Sequence, residues 1–142
     1  MRQCLLLALV VVTLFTTIDT FATIPVFPPV KKNETVAKSY NIRIGLIRRD
    51  GTVITSGSAD LSGFYAHDAK TGNYFYAEHH VIGGFFQLPA KIYGLPGGTY
   101  TFGADRGQGN WIAVSDKVVT ITPDMVGPDG FVDILLEIAW EE

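Results

Sequence analysis

Between Tyr40 and Trp140 the apolar positions recur at every second residue, and no stretch of ten or more residues carries a helical period. Tyr40, Ile42, Ile44 and Leu46 alternate with polar or small residues, which puts them on one face of a strand. Asp50-Gly51 then predicts a type I′ hairpin turn into Thr52-Val53-Ile54. A second hairpin is predicted from Phe64 to His67 and Tyr74 to Glu78, because the Asp, Gly and Asn between them suit a tight loop. Further strands are expected at Phe85 to Leu88, Thr99 to Ala104, Trp111 to Val114 and Lys117 to Thr122. The clearest signal is the last: Val132, Ile134, Leu136, Ile138 and Trp140 share one face while Asp133 and Glu137 mark the other. Short strands with Gly and Pro punctuation predict an all-β domain over 40–142, a single antiparallel sandwich of about seven to eight strands, Ig-like in class.

The N-terminal region obeys a different pattern. Arg2 precedes an apolar run from Cys4 to Phe15, too short to span a bilayer, and Thr20-Phe21-Ala22 ends it with small residues at the −3 and −1 positions. Residues 1–22 therefore read as a signal peptide, with no membrane span left after its cleavage. Residues 23–39 contain three prolines and no period, which predicts an extended Pro-rich arm. Asn33-Glu34-Thr35 within that arm fits an N-glycosylation sequon. Cys4 is the sole cysteine, so cleavage leaves a cysteine-free secreted chain whose stability rests on sheet packing. The net charge of −3, with scattered Lys and Arg, argues against nucleic acid as a partner.

One segment points to a family. Gly94-Leu95-Pro96-Gly97-Gly98-Thr99-Tyr100-Thr101-Phe102 resembles the G-L-P-x-G-x-Y-x-V segment of prealbumin-like sandwiches, the carboxypeptidase regulatory-like and Cna-B-type domains. The resemblance implies that Leu95 and the aromatic after the turn plug the core, with Pro-x-Gly reversing the chain between them. Pro fixes φ, Gly supplies positive φ, and Tyr100, Phe102 and Ala104 share a face. Arg49 to Val53, Gly84-Phe85-Phe86 and the closing strand follow the family's order over most of Tyr40 to Trp140. Two departures stand out: Leu88 to Tyr93 reads as an insertion, and the Phe64 to Glu78 hairpin replaces short linking loops. The isopeptide crosslink of Cna-B-type domains is not expected, because the first strand carries Arg43 where the family has Lys; Lys38 and Asp133 are the nearest candidates.

Chemistry concentrates in FYAHDAKTGNYFYAEHH, Phe64 to His80. A four-residue loop from Ala69 to Gly72 would set Tyr65 opposite Tyr76 and His67 opposite Tyr74. With Phe64 and Phe75 inward, Tyr65, His67, Tyr74, Tyr76 and Glu78 would form a surface of stacking rings suited to a sugar or a partner protein. The competing interpretation is that these are ordinary cross-strand residues of good β propensity. His67, His79 and His80 lie within fourteen residues, but adjacent histidines on a strand face opposite ways, so no metal site is assigned. The serines lack a nucleophile-elbow context. Asp133 and Glu137, roughly 13 Å apart along one strand, are too far apart for paired-carboxylate hydrolysis. Asp105 to Asn110 reads as a flexible loop presenting Arg106 and Trp111.

These observations predict a secreted, extracellular, non-enzymatic binding protein that recognises a glycan or a protein surface and uses no cofactor. Tyr65, His67, Tyr74, Tyr76 and Glu78 are the expected contacts, with Arg106 and Trp111 behind them. Two alternatives remain: an effector or protease-inhibitor-like protein using the 105–110 loop, and a metal-dependent enzyme using His67, His79 and His80.

Overall fold

A computed structural model describes residues 38–142, so the expected signal segment, nearly all of the arm and Asn33 lie outside the described residues. The elements are β1 (Ser39–Ile47), β2 (Val53–Ile54), β3 (Gly57–Ala59), β4 (Leu61–His67), β5 (Tyr74–Tyr76), β6 (Val81–Ile82), β7 (Phe85–Leu88), β8 (Ala90–Pro96), β9 (Thr99–Arg106), β10 (Ile112–Val114), β11 (Lys117–Thr120) and β12 (Phe131–Glu141), with one 3-10 turn at Pro123–Met125. The domain is all-β. Ser39, assigned by sequence to the arm, already pairs with Pro96 in the sheet.

Three sheets form. β11-β9-β4-β5 is antiparallel, as is β3-β7-β6. The remaining sheet is mixed, which corrects the expectation of a purely antiparallel fold. β1 runs parallel to β12, from Asn41 against Phe131 to Ile47 against Glu137, and its other edge is shared by antiparallel β8 and β2. A period of two reports which face is buried but not which strand lies alongside, so the pattern was silent on this pairing.

Inward side chains of all three sheets meet in one core. Ile42, Ile44, Leu136 and Val132 come from the mixed sheet, Phe64 and Phe102 from the four-stranded sheet, and Phe86 from the three-stranded one. The alternation expected of β12 is observed: Val132, Ile134, Leu136 and Ile138 are buried while Asp133 and Glu137 are exposed. Arg43 grips Asp133 through Nε at 2.6 Å and Nη2 at 2.9 Å, and reaches Asp129 at 2.8 Å.

Two turns differ from their predicted chemistry. At Arg48 to Thr52 only Gly51 has positive φ, +86°, and its N–H donates to Arg48 O at 2.9 Å. That is a type I turn followed by a left-handed glycine, not the type I′ turn, which needs positive φ at both central residues. The double-positive turn occurs instead at Gly83-Gly84, joining β6 to β7.

The Leu-Pro-Gly-Gly segment is a corner between sheets. The stretch assigned to an insertion is mostly β8, which pairs with β1, and the chain then reverses through Gly97-Gly98 into β9, which pairs with β4 and β11. Leu95 and Tyr100 are buried, and the Tyr100 hydroxyl donates to Pro96 O at 2.8 Å. Positive φ falls on Gly94, +68°, where the β1–β8 register slips. Gly97 and Gly98 ease the close packing here: a Cβ on either would sit 3.3 Å from the ring of Tyr40 or Tyr100 respectively.

Candidate functional site

The β4–β5 hairpin has the predicted register, with Tyr65 opposite Tyr76, Ala66 opposite Phe75 and His67 opposite Tyr74. Its loop is held by Asp68, whose carboxylate accepts from the Lys70 N–H at 2.9 Å and the Thr71 hydroxyl at 2.8 Å. Those two donors draw the Asp68 carboxyl below the usual carboxylate range. Phe64 and Ala66 are buried and Phe75 packs edge-on against Tyr100 at 5.9 Å, so the alternate residues must face outward.

Outward, the rings form a continuous stripe. His67 stacks on Tyr74 at 4.3 Å and 22°, Tyr74 lies nearly parallel to Tyr76 at 6.1 Å and 18°, and Tyr65 meets Tyr74 edge-to-face at 5.6 Å and 63°. Tyr74 is 52 % exposed and Tyr76 63 %. Such contacts pre-order the rings, so a ligand that stacks on them does not have to freeze their rotamers on arrival.

Tyr65 anchors this stripe to the rest of the sheet. Its ring lies across Gly103 of β9, and a Cβ there would run into both the Tyr65 hydroxyl and the Asp116 carboxylate. The hydroxyl donates to Asp116 Oδ1 at 3.3 Å. Burial, followed by the Asp116 charge, pushes the Tyr65 phenol up to about 12. Beyond Gly103 the outward positions of β9 and β11 carry Thr99, Thr101, Asp105, Val118 and Thr120, with the Thr99 and Thr120 hydroxyls 2.8 Å apart.

The other expected contacts sit elsewhere. Glu78 follows the end of β5 and lines a cleft of about 230 Å³ with His80, Gln87 and Lys91. His79 turns to Phe86, 6.2 Å away, while His67 is taken up by Tyr74, so the structure does not bring the three histidines together. Among the described residues no group of three or more His, Cys, Asp or Glu is placed to hold a metal ion. Arg106 has the opposite parity to Gly103 on β9; its guanidinium donates to Asn110 Oδ1 at 3.1 Å and lies 5.6 Å from the Trp140 ring. Trp111, half-exposed, packs on Phe85 at 6.0 Å.

Asp60 was missed by the reading of the sequence. Only 5 % exposed, it accepts from the Trp111 N–H at 2.9 Å and the Gly109 N–H at 3.3 Å, while its own carbonyl accepts from the Gly107 N–H at 3.0 Å. Cβ atoms on Gly107 or Gly109 would strike this carboxylate. The glycines of the 107–110 loop thus permit close approach to Asp60, which ties the loop to the start of β4. A charged residue between Ala59 and Leu61, both buried, was the available clue.

No protein-family model matches the chain, no curated protein matches it, and no solved structure matches its fold. Among the described residues no helix is long and apolar enough to cross a membrane.

Proposed function

We propose that this is a secreted, non-enzymatic binding protein whose outward β11-β9-β4-β5 face takes an extracellular glycan. The observation that carries the reading is the pre-ordered stripe of Tyr65, His67, Tyr74 and Tyr76, its last two rings exposed, with threonine hydroxyls beside it. Aromatic faces stack on the apolar faces of sugar rings, and hydroxyls serve their edges. The framework fits a prealbumin-like sandwich: the chain crosses between sheets at Pro96–Gly98, and the Tyr100 hydroxyl closes that crossing on Pro96 O in the manner of the tyrosine corner of Greek-key sandwiches. The test is binding of the purified protein to a panel of glycans and cell-wall polysaccharides beside a Tyr74→Ala, Tyr76→Ala variant checked for folding by circular dichroism. Loss of binding in the folded variant supports the face; undiminished binding removes it.

A second reading, a protein-binding or inhibitor-like role for the 107–110 loop, gains from the hold of Asp60 on the loop, since a constrained loop loses less entropy on docking. Co-purification with the wild-type protein that fails with Asp60→Asn, while the glycan panel stays blank, would favour it.

A further inference from the structure

The tyrosine face carries a charge pattern that narrows its ligand, an inference that rests on reading the face as a glycan-binding surface. No Lys or Arg occupies an outward strand position of β4, β5, β9 or β11. Lys117 has inward parity and donates to Leu135 O at 3.1 Å, Arg106 is drawn to Trp140, and Lys70 lies in the hairpin loop. Two carboxylates do belong to this face: Asp105 at an outward position of β9, and Asp116, which receives the Tyr65 hydroxyl.

The rings add a second, independent preference. Tyr65 and Tyr74 pack edge to face at 63° and 5.6 Å, and the Tyr65 hydroxyl end of the pair meets Asp116. The faces of aromatic rings are electron-rich and attract cations, most strongly ammonium groups that shed part of their water. A neutral sugar polymer would use the rings but leave the carboxylates idle. A uronate or sulfated polymer would be repelled by them. Three of the outward residues beside the rings, Thr99, Thr101 and Thr120, bear hydroxyls, which suits sugar hydroxyls better than the apolar centre of a protein interface.

We infer that the face binds a polysaccharide carrying free amino groups, an ammonium drawn to the Asp116 and Asp105 carboxylates beside the Tyr65 ring while neighbouring sugar rings lie along Tyr74 and Tyr76.

The test is calorimetric titration of the full protein with glucosamine oligomers, N-acetylglucosamine oligomers of equal length, a uronate oligomer and oligolysine, at low and high salt. The expected result is binding to the free-amine oligomer roughly two- to fivefold tighter per engaged amine than to its acetylated form. The preference should shrink as salt rises. Asp116→Asn should bring the ratio of the two affinities close to one, and Asp105→Asn should lower it in part; both residues are exposed, so folding is retained. Equal binding of both oligomers by the wild type, or preference for the uronate, overturns this inference and leaves the glycan-binding reading standing. Binding of oligolysine alone overturns both in favour of a protein partner, and silence from all four probes overturns this inference and leaves the glycan-binding reading to the wider panel.

Discussion

The outward faces of the mixed and the four-stranded sheets are built from the same alternation and end in opposite states. On the mixed sheet the charges answer one another: Arg43 is clamped by Asp133 and Asp129, Arg48 bonds Glu141 at 2.5 Å, and Arg49 lies 3.9 Å from Glu137. On the four-stranded sheet the outward residues are rings, hydroxyls and carboxylates without a cation among the strand positions. A face whose ionic groups are mutually satisfied has its favourable partners already; a face of stacked rings and acceptors still has interactions to offer. That contrast, more than any one residue, is why the tyrosine face is the candidate site.

The largest effect is expected beneath both faces. Phe64→Ala removes a fully buried ring that packs on Phe86 at 5.3 Å, and should lower unfolding free energy by about 3–5 kcal/mol in chemical denaturation, damaging both faces alike. Asp60→Ala leaves the Trp111 and Gly109 N–H groups without their acceptor. It should cost about 1–3 kcal/mol and speed hydrogen exchange in the 107–110 loop while sparing both sheet faces.

Gly103→Ala separates the faces, because it displaces the Tyr65 ring and touches nothing on the mixed sheet. A cost of about 1–3 kcal/mol is expected. It should also abolish the late component of a phenolate absorbance titration, which is expected near pH 12 in the wild type and should be missing from Tyr65→Phe. The sign follows from the raised value: the folded state keeps Tyr65 protonated, so this contribution to stability is complete below pH 10 and lost as the pH climbs toward 12. Arg43→Met should produce a smaller destabilisation that fades in high salt, since Arg43 and its partners are solvent-accessible. Smallest of all is the stability change for Tyr74→Ala with Tyr76→Ala, within about 1 kcal/mol, although the same pair should weaken glycan binding more than tenfold.

Much of this was legible because alternation is local. The hairpin register of Tyr65, His67, Tyr74 and Tyr76 followed from loop length, and the buried face of β12 followed from period two. What escaped was non-local. The Val81–Ile82 and Gly57–Ala59 strands are too short to show a period, and Ala90–Pro96 was obscured by its two small residues, Ala90 and Gly94. Asp60 and Gly103 matter through neighbours 51 and 38 positions away, Trp111 and Tyr65 respectively, and no short window contains both partners.

The parallel pairing of β1 with β12 joins residues 90 apart, as Arg43 and Asp133 show. On a ribosome, or during passage through a narrow pore from the N-terminus, β1 waits with one edge bare until Phe131–Glu141 appears. Closing so long a loop makes folding slow and all-or-none in its timing, because loop entropy has to be overcome before the central pairing rewards it. Until then the bare β1 edge is the place where premature aggregation would begin.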